Sequence, residues 1–514
     1  MGTTTRRAAR AASKATLSEA GAAKRRAAQV ARAGGADNQR GALPGVRVRM
    51  FRQGLGDAFL LTFDPGGAEA HVLVDFGTLG ATTTGVSMST TAADIAATSG
   101  GRLDAVVVTH EHWDHISGFR SCAETFAAMD VGQVWLAWTE NPDDPLARTL
   151  ASSRRDLGAA LAMTVATLTT RHDRAATALG RALRDVLAFS GGVPEGSPLA
   201  FGERLDDTMH GVRTALGRET HYLLPGQPVL EPAFAPGFRI YVLGPPRDAD
   251  AIDDLGHAGD DALYAVRAAR SGAAAPPPDG SPFDTRFRLP LDAATTRDVL
   301  AGYLAPREQW RQIPRHWMRS ARDLALQLDN ATNNTSLVLA IERVADGKVL
   351  LFPGDAQLGS WQSWHDPALS WTVAGARGPK TVTAGDLLRR TVFYKVGHHA
   401  SHNATARQAG LELMAADGLV AFVPVDRRVA LGRHPKGSWR MPARALARRL
   451  LERCRGRVVR SDIGWMANSG AAVDETEAEL AGLGSSAEWS RWRTAQRRAT
   501  HVRVEPRWVD YLLR

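Results

Sequence analysis

VVVTHEHWDHISGF, residues 106–119, packs three histidines, a glutamate and an aspartate into six positions directly behind a run of valines. The valines predict a hydrophobic strand. A strand that stops at His110 delivers His110 and His112 from one extended loop, and Asp114 and His115 follow as the chain turns into a helix beginning near Ile116. Two pairs of ligands can then face two neighbouring ions. Imidazole nitrogen and carboxylate oxygen suit zinc, manganese or iron, and cysteine is not needed for such a site. Chance polarity on a surface loop is the plain alternative; H-x-H-x-D-H directly after a valine run argues against it.

The composition is compatible with that reading. Of 514 residues, 44% are hydrophobic and 23% charged, an ordinary globular balance that can fill a sizeable core. Two cysteines, Cys122 and Cys454, allow at most one disulfide and exclude a cysteine-rich zinc site. No stretch reaches the roughly 18 apolar residues of a membrane span, and no secretory signal is visible, so the expectation is a cytoplasmic protein without a membrane. The formal charge of +9 is concentrated at the N-terminus, where residues 1–40 hold nine Lys or Arg against Glu19 and Asp37. Residues 1–43 therefore read as a basic, disordered arm: a solvated tail, or one suited to polyanions such as nucleic acid.

From about residue 44 short apolar strands take over, each ending in Gly or a polar turn: VRVRMFRQGLGDAFLLTFD, HVLVDFG and LDAVVVTH. Helices are expected at 89–98 and 116–129. Residues 145–218 read as a helical insertion, and residues 250–330 as a second, irregular one containing SGAAAPPPDGSPF. NNTSLVLAIE, KVLLFPGD, TVFYKVGHH and GLVAFVPVD then restore the strand-and-turn rhythm, and an extension with two aromatic segments begins near 466. The expected fold is one α/β sandwich spanning 44–514 with two insertions; two separate domains are the alternative.

The strand-then-ligand pattern recurs twice. KVLLFPGDAQ ends a strand at Asp355, and TVFYKVGHHASHNAT ends another at His398 and His399. A lone strand-terminal Asp is usually a turn residue, but three strand ends with matching chemistry make a shared site the better reading. An Asp between two ions could bridge them, the geometry of two-metal hydrolysis.

On these motifs the chain resembles the metallo-β-lactamase superfamily of hydrolases. More narrowly, it is similar to the metallo-β-lactamase domain of bacterial DNA-uptake competence proteins and their soluble relatives. THEHWDH carries the superfamily resemblance. QGLGDAFLLTF, HVLVDFG, RIYVLGPP, NNTSLVLAIE with LLFPGDA, KVGHHASHNAT and HPKGSWRMPARALARRLLERCRGRVVRSDIGW carry the narrower one. The resemblance implies a four-layer αβ/βα sandwich with helical insertions and two divalent ions, zinc first and manganese second. One ion would be held by His110 and His112, the other by Asp114 and His115, with Asp355 bridging and His398 completing the second site. It implies a bridging hydroxide as nucleophile, with Asp114 and Asp355 at the chemistry and His399 and His434 reaching the substrate. Asp75 would orient a ligand, or be an ordinary turn aspartate. His402 would contact the substrate, and Ser401 and Asn403 would bind a phosphate oxygen or cap a following helix.

One departure bears on the first ion. Where many superfamily members supply another histidine, this chain reads YVLGPPRD, with Pro245 and Pro246 in its place. The first ion is then weakly held, completed by water, Asp248 or Asp250, or absent. The implied reaction is hydrolysis of a phosphodiester, nucleic acid included. A carboxylic ester, lactone or thioester is the enzymatic alternative, and a non-catalytic nucleotide sensor the other. Trp361, Trp364 and Trp371 could stack a base or pack in the core, with packing the better reading; Glu140 is a spare ligand at best. Oligomeric state and metal identity are not encoded in any motif.

Overall fold

The alternation of apolar runs and turns produces two large sheets. Six strands open the first: β1 (Gly45–Phe51), β2 (Ala58–Asp64), β3 (Ala70–Phe76), β4 (Arg102–Val108), β5 (Asp130–Ala137) and β6 (Glu219–Leu223). The second contains β7 (Phe238–Gly244), β8 (Val338–Arg343) and β9 (Val349–Phe352). A separate hairpin follows, β10 (Ser370–Gly375) and β11 (Gly378–Thr383). The second sheet then resumes with β12 (Thr391–Lys395), β13 (Val420–Val423), β14 (Val458–Arg460) and β15 (Gly464–Trp465). Finally β16 (Val502–Val504) and β17 (Trp508–Leu513) return to the first sheet. The spatial orders are β16-β17-β1-β2-β3-β4-β5-β6 and β15-β14-β13-β12-β9-β8-β7. This computed structural model describes residues 43–64, 66–169, 174–192, 202–253, 263, 324–325, 327–375, 378–433, 439–466 and 475–514. The basic arm through residue 42 and most of the second insertion lie outside them.

The valine run shows how one sequence serves two layers. Along β4, Ala105 and Val107 face the second sheet, in a core shared with Phe59, Phe63, Ile341, Phe352 and Phe393. Leu103, Val106 and Val108 point the other way, against Ile95, Ile116 and Phe119 of the covering helices Met88–Ser99 and Trp113–Ser121. From Ala105 to Val108 the strand is buried on both faces and apolar at each position, which is why no alternation is visible there. The second sheet is covered in turn by Leu446, Leu450 and Leu451 of helix Arg444–Arg453, by Trp361 of the short helix Leu358–Ser363 and by Trp364, which caps it. The result is the four-layer α/β/β/α sandwich, and the stretch Pro44–Arg514 forms one unit.

The C-terminal extension is built into the first sheet. Strand β17 pairs antiparallel with β1, placing Asp510 opposite Arg49. The guanidinium meets that carboxylate through two bonds of 2.7 and 2.8 Å and lies over the Trp508 ring, a buried bidentate pairing. The helical insertion comprises Pro145–Thr169, Arg174–Leu187 and Glu203–Gly211, with a small core around Leu161, Val165, Leu179 and Leu183 that it shares with Ala325 and Leu328. No described helix is long and apolar enough to cross a membrane.

Within each sheet, antiparallel strands give way to parallel ones. β3, β4, β5 and β6 run parallel, as do β9, β12, β13 and β14. Ligand-bearing loops leave the carboxyl ends of β3, β4, β9 and β12, the usual place for a site in an open α/β sheet. Glycine lets the first-sheet loops meet. A Cβ on Gly77 would lie 2.3 Å from the Asp114 carbonyl carbon and 2.5 Å from the His115 nitrogen, both backbone atoms that cannot swing away. Gly77→Ala is therefore expected to cost about 3 kcal/mol or more, at the upper end for overpacking. Urea unfolding measures the loss, and an unchanged midpoint would show that the 114–115 turn can yield.

Candidate metal centre

The site is assembled around Thr109, the residue between β4 and His110. Asp75, at the end of β3, accepts the Thr109 backbone N–H on Oδ1 (2.7 Å) and the Thr109 hydroxyl on Oδ2 (2.8 Å). The same Oδ2 takes the Nδ1–H of His115 at 2.8 Å. That bond fixes the ring and turns Nε2 toward the centre, the arrangement metal-binding histidines usually have. Asp75 reaches this position from a left-handed backbone (φ 55°), which aspartate tolerates better than most residues. Helix Trp113–Ser121 starts immediately after His112 and holds Asp114 and His115 in its first turn.

Asp114, His115, Asp355 and His399 offer one ligand atom each, all within 4.8 Å of one another and all buried. Asp114 Oδ2 lies 2.8 Å from His399 Nε2 and 3.5 Å from His115 Nε2, and Asp355 Oδ2 lies 3.3 Å from His115 Nε2. Asp114 Oδ1, Asp355 Oδ2 and His115 Nε2 have no hydrogen-bond partner among the described residues. Several polar atoms buried side by side without partners carry a large desolvation penalty, which a cation among them would offset. Two carboxylates and two imidazoles therefore fit one divalent ion of the zinc or manganese kind. Burial opposes charge on His115 and His399, yet the surrounding carboxylates raise both imidazoles above their ordinary value. Burial likewise opposes the Asp114 and Asp355 carboxylates; His115 and His399 hold the first below its usual range, and Lys395 with His115 the second.

The turn after β12 decides which histidine faces the cluster. His398, His399 and Ala400 are all left-handed, with φ of 43°, 50° and 61°. Left-handed backbone costs roughly 1–2 kcal/mol per non-glycine residue, so the surroundings must impose it. The His398 backbone N–H donates to Asp355 Oδ1 (2.7 Å), the His399 Nδ1–H to the Pro424 carbonyl (2.6 Å), and Ala443 N–H to the Ala400 carbonyl (2.7 Å). His399 thus sends Nε2 into the ligand group, while His398 stands beside it with Nδ1 on Ser401 Oγ (2.9 Å) and Gln357 Nε2 (3.3 Å). The structure accordingly places His399 in the position that sequence reasoning assigned to His398, because the coil of the turn rotates the second histidine inward. Ser401 and Asn403 bond to one another and continue to Asn330; no helix follows for them to cap. His402 is exposed, and His434 lies outside the described residues.

His110 and His112 form a separate pair, with His110 Nε2 3.1 Å from His112 Nδ1. Burial pulls His110 well below its ordinary value and His112 down to about 4, so both are neutral and available. Among the described residues no third ligand joins them. The chain opposite reads Gly244–Pro245–Pro246, whose Pro245 carbonyl is occupied by Trp138 Nε1–H at 3.0 Å. Asp248 and Asp250 are exposed and belong to no ligand group. Trp361, Trp364 and Trp371 are buried in the core and cannot stack a base.

Several site residues were invisible in the sequence. Lys395, the last residue of β12, donates to the Gly354 carbonyl (2.8 Å) and Asp355 Oδ1 (3.0 Å) and pairs with Asp57 Oδ2. Burial and Asp355 dominate its environment, and the carboxylates raise its ammonium above the usual range. Asp57, from the Gly-Leu-Gly-Asp turn before β2, is raised by burial to about 6 despite Lys395. Asp57, Asp75 and His115 make a second acidic grouping, and Lys395 is the cation it already has. Asn333, Asn334, Thr335 and Ser336 are fully buried; Ser336 accepts the Asp355 backbone N–H (2.9 Å) and touches His110 Nδ1 (3.2 Å). Four polar residues leading directly into an apolar strand were the available signal.

The insertion grips the H-x-H loop from outside. Arg154 donates to Glu111 (2.9 Å), and Phe189 lies 5.7 Å from the His112 ring. Glu140 pairs with Arg213 (3.5 Å) and Arg154 (3.9 Å) and is not a ligand. Burial, with Glu111 adding to it, raises Glu140 from 4.5 to about 7. A carboxyl raised on folding contributes stability that is fully present below its unfolded value and lost as pH climbs through the folded one. Between pH 4.5 and about 7 the wild type should therefore lose stability, and Glu140→Gln should flatten that slope in urea titrations at pH 5 and pH 8. Parallel pH profiles for the two proteins would rule Glu140 out as the source.

Comparison with known families agrees with this geometry. None of the curated proteins matches the chain. The family model of the metallo-beta-lactamase superfamily matches residues 52–132, the segment that holds Asp57, Asp75 and the whole H-x-H-x-D-H turn. Members of that superfamily are mostly metal-dependent hydrolases, and residues 52–132 of this chain are similar to them, within a two-sheet α/β sandwich of the matching kind.

Proposed function

We propose that the chain is a metal-dependent phosphodiesterase, with nucleic acids among the substrates to be screened. The observation that carries this reading is the convergence of Asp114, His115, Asp355 and His399 around buried oxygen and nitrogen atoms with no other partner. A divalent ion held there supplies Lewis acidity and water that is nucleophilic at neutral pH. The chain's own residues do the rest. Asp75 fixes the His115 ring, Pro424 fixes the His399 ring, and Lys395 with the His398 backbone N–H engages Asp355 Oδ1 so that Oδ2 faces the centre.

A donor set with two carboxylates favours a hard or borderline divalent cation, which polarises phosphoryl oxygen. The His110–His112 pair would hold a second ion more weakly than the first, since two imidazoles face no third protein ligand. Zinc is the first candidate metal and manganese the second.

The test is elemental mass spectrometry on purified protein together with hydrolysis of bis(p-nitrophenyl) phosphate under added zinc or manganese. One tightly held ion, a second lost to mild chelation, and turnover of the diester support the proposal. Metal without diester turnover moves the reading to ester or lactone hydrolysis; protein that takes up no metal sinks it.

A further inference from the structure

Of the four imidazoles in the two ligand groups, three are held from behind by a hydrogen bond. Asp75 takes the Nδ1–H of His115 at 2.8 Å, the Pro424 carbonyl takes that of His399 at 2.6 Å, and His110 Nδ1 rests on Thr109 Oγ1 (3.1 Å) and Ser336 Oγ (3.2 Å). His112 differs. Its Nδ1 lies 3.1 Å from His110 Nε2, and its Nε2, on the far side of the ring, is buried with no hydrogen-bond partner among the described residues. Metal-binding imidazoles are ordinarily oriented by a hydrogen bond to the nitrogen that does not bind. The His112 ring has to be oriented by packing instead.

That packing comes from the helical insertion, which touches three consecutive residues of the loop. Arg154, in helix Pro145–Thr169, gives its Nε–H to Glu111 at 2.9 Å. Phe189, in the turn after helix Arg174–Leu187, has its ring centroid 5.7 Å from that of His112 and is itself stacked on Trp439 at 4.8 Å. Arg204, in helix Glu203–Gly211, lies over the Trp113 ring at 4.7 Å. Arg154 is the anchor of the three. Its side chain is 7% exposed and that of Glu111 17%, whereas Arg204 is exposed. A charge-assisted bond shielded from water holds its partners more firmly than a contact at the surface. Glu111 stands between the two histidines, so whatever fixes Glu111 also fixes the spacing of His110 and His112. Two nitrogens on one tetrahedral zinc ion, with bonds of about 2.0–2.1 Å, are about 3.3–3.4 Å apart; the 3.1 Å found here shows a loop already held near that spacing.

We propose that the helical insertion is a positioning device for the second ion: by holding Glu111, His112 and Trp113 it keeps His110 and His112 turned toward a shared divalent cation, and Arg154 is its principal residue. The insertion does for His112 what Asp75 does for His115. Loosening it releases the ion of the His110–His112 pair and leaves the four-ligand centre intact, because the rings of that centre are held by Asp75 and Pro424 and not by the insertion. This inference rests on the metal-binding part of the proposed function and is independent of the bond that is hydrolysed.

The experiment loads the purified full chain with zinc and titrates it with chelators of graded affinity, counting bound ions by elemental mass spectrometry. His112→Ala identifies the ion of the pair as the one it abolishes. Arg154→Met is expected to weaken that ion about 10- to 100-fold, the usual effect of losing a residue that orients a ligand, and to leave the other ion unchanged. Charge alone predicts the opposite sign, since removing a cation beside a cation site tightens it. Arg154→Lys, which can still donate to Glu111, should recover part of the affinity. Arg204→Ala, at an exposed position, should weaken the same ion by less and keeps the test decisive if Arg154→Met does not fold. An unchanged or tighter ion of the pair, or equal weakening of both ions, overturns the inference. Wild type that takes up only the ion of the four-ligand centre also overturns it and leaves the proposed function standing. Wild type that holds both ions but cleaves no diester removes the phosphodiesterase reading alone, and the titration still decides the inference. Protein that takes up no metal overturns both.

Discussion

Asp114→Ala protein is expected to purify without its tightly held metal and to lose diesterase turnover by about 10⁴-fold or more, the scale of removing a central catalytic group. Asp114 is not one ligand among equals. Its Oδ2 meets both imidazoles of the cluster, 2.8 Å from His399 and 3.5 Å from His115, while Oδ1 has no partner among the described residues. Its removal leaves those rings facing Asp355 alone. The fold should survive, because the Asp114 side chain is bonded only within the cluster and its backbone carbonyl, which accepts the Asp57 N–H at 3.0 Å, remains. Elemental analysis, turnover and circular dichroism on one preparation separate these effects. Normal metal content in the variant would mean that the ion sits elsewhere, with His110 and His112 the first place to look.

Lys395→Met should have the largest effect on stability. The ammonium is 2% exposed and each of its three hydrogens has an acceptor: Asp57, Asp355 and the Gly354 carbonyl. Breaking a buried ion pair from one side typically costs about 3–5 kcal/mol, because the remaining charge has no counterion. Here two carboxylates are abandoned together, so the metal-free variant should lie at or above the upper end of that range in urea unfolding. Lys395→Arg should not rescue it, since a planar guanidinium cannot replace a compact cation among three converging acceptors. A loss below about 1 kcal/mol, the scale of an exposed pair, would show that water reaches the ammonium.

The parts of this site that were legible in the sequence share one property: they follow immediately upon an apolar run. His110, His112, Asp114 and His115 come after the β4 valines, and Asp355 comes after Val349–Phe352. The two-sheet architecture could be read for the same reason, from apolar segments long enough for one strand each. What could not be read depends on backbone conformation or on distant pairing. His398 and His399 are equivalent until three consecutive left-handed residues choose between them. Lys395 looks like an ordinary strand residue until β12 brings it against Asp57, more than 300 positions earlier.

The Arg49–Asp510 clasp also sets a clock. Its two residues are 461 positions apart. A ribosome adds about 5–20 residues per second, so β1 emerges roughly 20 to 90 s before β17 exists to pair with it. Throughout that interval β1 is an open edge, able to pair with any passing strand. The loops from β3 and β4 that carry the candidate ligands are made early, yet the sheet that positions them closes only when β17 arrives. This protein therefore has a long vulnerable stage during its synthesis, in which the first six strands of its first sheet exist while β1 has no neighbour on its outer side.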